Sequence, residues 1–120
     1  MIKAIALGKR KPGTSFEAFV EYYKTRHSKL GEKVMKRAGA SRYIRHYVVP
    51  AVSGLHEEAA ESDFDVVTEF WFPDMASFQE CFAIAGGEMR DEFAEDEARF
   101  ADRSAIRLFL QVEEDESDLS

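Results

Sequence analysis

The strongest constraint in this sequence is an order that occurs twice: a short apolar run, a stretch of helical spacing, then a second short apolar run. Residues 2–8 are apolar and stop at Lys9-Arg10-Lys11-Pro12-Gly13, which reads as a strand followed by a breaker. Thr14 or Ser15 can cap a helix whose apolar positions Phe16, Phe19, Val20, Tyr23, Leu30 and Val34 fall on one face. Gly39 closes it, and Lys33, Lys36 and Arg37 place cations in the last turns, where the helix dipole favours them. Gly31 is the expected point of kinking or fraying. Residues 42–49 are β-branched and aromatic and end at Pro50, a second strand.

The second half repeats the order. Residues 51–63 read as a polar loop with room for a short helical turn, and residues 65–72 as a strand stopped by Pro73. Asp74 caps a helix with Phe78, Cys81, Phe82 and Ala85 on its apolar face, broken at Gly86-Gly87. A further helical piece carries Phe93, Ala94, Ala98, Phe100 and Ala101, and residues 105–112 form the last strand. Residues 1–113 therefore read as one domain, and 114–120 as an acidic tail expected to be solvated and mobile.

Two split βαβ units interleave into a ferredoxin-like βαββαβ fold, α+β in class: a four-stranded antiparallel sheet with its helices on one face. The other face also needs covering. Strand three alternates Val66, Thr68, Phe70 and Phe72 with Val67, Glu69 and Trp71, and strand four alternates Ile106, Leu108, Leu110 and Val112 with Arg107, Phe109 and Gln111. Both faces are largely apolar, and monomers avoid exposing such patches. Packing against a second copy about a two-fold axis solves this, so the sequence predicts a homodimer.

Composition narrows the classes. The net charge is −7, but the halves differ: residues 1–50 hold twelve Lys or Arg and three Glu, whereas residues 51–120 hold four against twenty acids. Overall acidity argues against nonspecific nucleic-acid binding. A single cysteine, Cys81, excludes an internal disulfide and suits a reducing compartment. No apolar run is long enough to span a membrane, and the N-terminus lacks the order of a signal peptide, so a cytoplasmic protein is expected. There is no dinucleotide or phosphate-binding glycine motif and no zinc-type Cys/His spacing, and no cofactor or metal is expected.

Four stretches together resemble the EthD-domain family of the dimeric α/β-barrel superfamily. They are Ile2 to Gly13; Phe16-Glu17-Ala18-Phe19 with Tyr22-Tyr23-Lys24-Thr25-Arg26-His27-Ser28-Lys29-Leu30; Phe70-Trp71-Phe72 with Phe78; and Asp96 to Asp102. The arginine–histidine pair that closes the aromatic helix face, Arg26-His27, is the most specific piece. The resemblance implies a barrel-like dimer of two sheets. Similar proteins include lactone isomerases, polyketide cyclases and dehydratases, and cofactor-free oxygenases of quinols and anthrones, so it implies a small-molecule substrate without choosing the reaction.

His27 is the leading chemical candidate. It lies four residues after Tyr23, on the inward helix face, where burial favours the neutral ring of a general base. From periodicity alone it reads first as a core histidine satisfied by a backbone carbonyl; the resemblance places a histidine here at the pocket. Tyr23 is suited to polarise a carbonyl, or to serve as a core tyrosine with its hydroxyl at a rim. Tyr22 reads as surface or dimer contact. His46 either joins His27 or lines the dimer, depending on which face of the second strand meets the helices. Glu69 sits on an otherwise apolar face and needs a partner, Arg45 or Arg107, or else an acid/base role. Asp96 reads as a cap or salt-bridge residue, Cys81 as inert, and His56 as exposed.

These readings combine into a cofactor-free acid/base enzyme of lyase, isomerase or cyclase type, acting on a small apolar oxygenated ring compound. His27, Tyr23, His46 and Glu69 are its expected catalytic groups, and Phe19, Trp71, Phe78 and Phe82 its expected pocket wall. Two alternatives stand beside it: a cofactor-independent monooxygenase of a quinol-like substrate, and a non-catalytic binding or accessory protein.

Overall fold

The structure is a computed structural model and describes residues 1–50 and 64–120. Residues 51–63, read from sequence as a polar loop carrying His56, lie outside the described residues. The elements run β1 (Ile2–Gly8), α1 (Phe16–Tyr22), a single wide turn (Tyr23–His27), α2 (Ser28–Ala38), β2 (Arg42–Tyr47), β3 (Val66–Phe72), α3 (Met75–Ala85), α4 (Arg90–Phe100) and β4 (Arg107–Leu110). The strands form one antiparallel sheet in the order β2-β3-β1-β4. This is the ferredoxin-like arrangement, with the helices packed on one face.

Local chemistry sets the boundaries. Ser15 caps α1 by accepting from the Ala18 amide at 3.1 Å, and Asp74 caps α3 by accepting from the Ser77 amide at 2.8 Å. Gly39 ends α2 at φ 74°, a left-handed conformation that costs glycine little, and the Ala40 amide reaches back to the Met35 carbonyl at 2.9 Å.

The helical irregularity is not at Gly31, as the sequence suggested, but one turn earlier. The Ser28 amide donates to the Tyr23 carbonyl five residues back, so Tyr23–His27 is a π-type turn. Two side chains support it. Thr25 Oγ1 donates to the Glu21 carbonyl at 2.8 Å, and Ser28 Oγ to the Lys24 carbonyl at 2.7 Å. Such back-bonding to the preceding turn bends helices. α2 passes through Gly31 without a break because the missing side chain serves packing. A Cβ there would come within 2.6 Å of the Tyr43 hydroxyl.

Register decides which face each strand residue meets. Tyr43 pairs with Phe70, and Ala4 pairs with Phe70 and Leu110. Tyr43, Phe70, Phe72, Ala4, Thr68 and Val66 therefore face the helices. Ile5, Ile44, His46, Val67, Glu69, Trp71 and Phe109 face the other way. The buried side chains form two groups: one around Val34, Met35, Phe72, Cys81 and Ile84, the other around Phe19, Tyr23, Val66 and Phe100. On the outer face Phe109 stays 52% exposed. No helix among the described residues is long and apolar enough to cross a membrane.

Candidate functional site

A cavity of about 470 Å³ lies between the two core groups, under the helices. This is within the range of small-ligand sites. β1 makes the room: its inward positions are the small residues Ala4, Ala6 and Gly8, and the last two line the cavity. Phe19, Phe70, Phe82, Phe93 and Phe100 supply an aromatic wall.

The π-type turn brings the polar groups to this wall. In a turn closed by a five-residue hydrogen bond, residues four and five apart share a face. Both Tyr23 and Tyr22 therefore end up beside His27. The His27 ring meets Tyr23 edge-on at a centroid distance of 4.6 Å and lies 5.1 Å from Phe100. Its Nδ1 is 2.6 Å from Asp96 Oδ2. The other carboxylate oxygen, Oδ1, accepts from the Tyr22 hydroxyl at 2.8 Å. Tyr22, expected at the surface or a dimer contact, is instead half-buried and stacks on Phe100 at 4.7 Å.

The chemistry of this group fixes its protons. Burial pushes the Asp96 carboxyl up, but the hydrogen bonds from His27 and Tyr22, with the charges of His27 and Arg99, more than offset it and hold the group below its ordinary value. An ionised carboxylate only accepts, so His27 Nδ1 carries the hydrogen. In the neutral ring the lone pair then sits on Nε2, which has no hydrogen-bond partner among the described residues, and the ring lines the cavity.

The Tyr23 hydroxyl lies deeper, 2.9 Å from Thr68 Oγ1. Burial pushes its pKa up, countered in part by Thr68 and Tyr43, so it stays a protonated donor. Tyr43 is pushed well up by burial in the same place. The sequence did not single out Tyr43, because alternation alone does not say which face of β2 turns inward.

α4 contributes charged groups, on either side of Phe93, that periodicity missed. Arg90, Phe93 and Glu97, spaced by three and four, all line the cavity, and Arg103 and Lys9 join them. Glu97 Oε1 is 3.7 Å from Arg103 Nε. Burial raises the Glu97 carboxyl, against the lowering charges of His27 and Arg103. The signal was present as a 3-4-3 spacing through Arg90, Phe93, Glu97 and Phe100, but the charged members made it look like a solvated face.

Of the residues predicted from sequence, Phe19, Tyr23, His27 and Phe82 meet at the cavity. Phe78 does not line it; its ring packs against Phe72 at 5.7 Å and Phe82 at 5.1 Å. His46, Glu69 and Trp71 lie on the opposite sheet face, so a relay from His27 through His46 or Glu69 has the sheet in its way. There Glu69 accepts from Trp71 Nε1 at 3.1 Å, and its carboxylate lies 2.5 Å from His46 Nε2 and 3.3 Å from Lys3 Nζ. The His46 hydrogen bond, opposed by burial and helped by Lys3 and Trp71, holds Glu69 down to about 2. The arginines expected as its partners are engaged elsewhere: Arg45 with the Tyr43 carbonyl, and Arg107 with the Ser104 and Ile106 carbonyls. Cys81 is buried and its thiol is pushed up to about 11, which leaves it unreactive. Among the described residues no group of three or more His, Cys, Asp and Glu side chains gathers as a metal site.

Comparison with known proteins agrees with this fold. An ethyl tert-butyl ether D (EthD) family protein from Bacillus halodurans superposes with a TM-score of 0.65 at 21% identity, over 95% of this chain and 100% of that one. A protein from Arabidopsis thaliana gives 0.62 at 18% identity, over 98% and 99%. A dimeric ferredoxin-like protein from an uncultured marine organism gives 0.59 at 15% identity, over 97% and 98%. Among curated proteins none matches. The profile of the EthD domain matches residues 11–104, a span that holds His27, Asp96 and most of the cavity wall, and the chain belongs to the EthD domain family.

Proposed function

We propose that the protein is a cofactor-free acid/base enzyme of the lyase, isomerase or cyclase kind, acting on a small oxygenated ring compound, and that it works as a homodimer. One observation carries the reading: His27 lies at an aromatic cavity with Nδ1 held by Asp96 and Nε2 without a hydrogen-bond partner among the described residues. In this reading Nε2 removes a proton from a carbon or hydroxyl activated by a neighbouring carbonyl. Asp96 stabilises the imidazolium that forms, and the Tyr22 hydroxyl keeps Asp96 in place. The protonated hydroxyls of Tyr23 and Tyr43 are the donors for the developing oxyanion. The same proton then returns from Nε2 to a second position, giving isomerisation, elimination or ring closure according to the substrate. Positioned acid–base groups of this kind contribute about 10²–10⁴-fold.

The dimer rests on the outer sheet face, where Ile5, Ile44, Val67, Trp71 and Phe109 form an apolar surface around the Glu69 cluster. It also rests on the dimeric state of one structural neighbour.

Proton transfer can be tested before the natural substrate is known. Cyclic 1,3-diketones, enol lactones and hydroquinones are incubated with the protein in D₂O, and exchange of their acidic hydrogens is followed by NMR. The wild type is expected to accelerate exchange in at least one class, and folded His27→Ala to lose about 10²–10⁴ of that rate. No acceleration by the wild type, or full rate in His27→Ala, overturns the reading.

A further inference from the structure

The cavity has a charge that its apolar wall conceals. The chain as a whole carries −7, yet the charged side chains lining the cavity are Lys9, Arg90 and Arg103 against Glu97 alone. Two of these cations have local work. Arg103 is 3.7 Å from Glu97, and Lys9 lies near Asp102, whose carboxyl is held down mainly by its hydrogen bond from Ser104 and in small part by the Lys9 charge. Arg90 differs: it lines the cavity and is exposed, so it stands at the mouth, and it has no carboxylate partner among the described residues. Nor does helix electrostatics account for it. It is the first residue of α4, where a cation opposes the helix dipole. Glu97 lies seven positions further along the cavity-facing stripe, about 10 Å along the axis. This is enough to hold one ring between the guanidinium and the polar end where Glu97 lies.

We propose that the cavity binds a monoanionic, carboxylate-bearing cyclic compound, with Arg90 holding the carboxylate at the mouth and the ring lying on the aromatic wall. The planar guanidinium fork matches a carboxylate in two-point contact. Arg90 is one cation at the mouth, while Arg103 is already set against Glu97, so the charge to be balanced there is a single negative one, that of a monoanion. A cation-lined cleft in an acidic protein also draws in an anion that the bulk surface repels. The inference rests on the cavity being the substrate site and names the substrate class that site selects.

The test uses 2-naphthoate, its neutral analogue 2-naphthamide, and 2-naphthyl phosphate, with binding followed by calorimetry. Wild type is expected to bind naphthoate about tenfold or more tightly than the amide, and no more weakly than the phosphate. Arg90→Gln is expected to erase the preference for naphthoate over the amide while leaving amide affinity and the melting temperature unchanged. Equal wild-type affinity for naphthoate and amide, or an intact preference in Arg90→Gln, overturns the anion assignment and leaves the proton-transfer reading to its own exchange assay. Much tighter binding of the phosphate overturns the choice of carboxylate. Binding of none of the three overturns the assignment of this cavity to aromatic anions, while exchange catalysed at His27 remains an independent readout.

Discussion

Asp96 Oδ2 lies 2.6 Å from His27 Nδ1 although the two residues are 69 positions apart in the chain. α4 carries the carboxylate to the imidazole, and the π-type turn presents the imidazole to α4.

If the role of Asp96 is to hold the ring and its tautomer, Asp96→Asn separates orientation from presence. His27 remains, but its Nδ1 can then face an amide donor and accept, which moves the hydrogen to Nε2. Proton exchange on the responsive compound is expected to fall on the order of 10²-fold, approaching the loss in His27→Ala. Tyr22→Phe removes only the outer hydrogen bond and should cost about tenfold or less. Both rates come from the same NMR assay, and equal loss in all three variants would point to general damage instead.

The cavity depends on small side chains in β1. Ala6→Leu adds a larger apolar body to open space rather than to close packing, so the overpacking cost of about 1–3 kcal/mol seen in filled cores should not apply. The variant is expected to melt at or above the wild-type temperature and to bind 2-naphthoate at least tenfold more weakly. A lower melting temperature with unchanged binding would show that the space is not where the ligand sits.

Two glutamates have opposite pH signatures. Burial raises the Glu97 carboxyl, so its ionised form is disfavoured in the folded state and it costs stability above its folded pKa. Glu97→Gln should raise the denaturation midpoint at pH 7, and the gain should vanish once the pH is below the ordinary glutamate value. Glu69 is held down to about 2, so it adds stability above its ordinary value of 4.5, and that stability is lost as the pH falls toward 2. Glu69→Gln should therefore be the less stable variant at neutral pH and converge with wild type near pH 2. Denaturant titrations of the three proteins across this range decide both signs.

Phe109 is half-exposed on the outer sheet face, away from the cavity. In the proposed homodimer, Phe109→Asp is expected to shift the protein toward monomer in sedimentation analysis, because it places a charge on the apolar sheet face that the second copy would cover. An unchanged sedimentation coefficient would place the dimer contact elsewhere or remove it.

Much of the fold was legible because it is written in local periods: alternation for strands, threes and fours for helices, and caps at Ser15, Asp74 and Gly39. His27, Tyr23, Phe19 and Phe82 were legible as an inward helical face. What local periods do not encode is which side of a strand turns inward, and this separated His46, Glu69 and Trp71 from the group they were expected to join. Nor do they encode the wide turn, whose traces are the hydroxyls of Thr25 and Ser28 in an otherwise ordinary helix. Asp96 was legible as a cap or salt-bridge residue but without its partner, and Glu97 and Arg90 were hidden for a related reason: charged residues on a helix face normally belong to water alone, and only the pairing of distant elements shows what else they face.

The wide turn also limits how this chain can vary. Each residue removed from a regular helical turn rotates everything after it by about 100°. Tyr23–His27 is the exception, because its five-back hydrogen bond already holds one residue more than an ordinary turn. Loss of one residue there would close an ordinary turn and leave the glycine at position 31 against Tyr43, and Val34 and Met35 at the cavity. A one-residue deletion should therefore be absorbed within this segment and disrupt the packing anywhere else in α1 or α2.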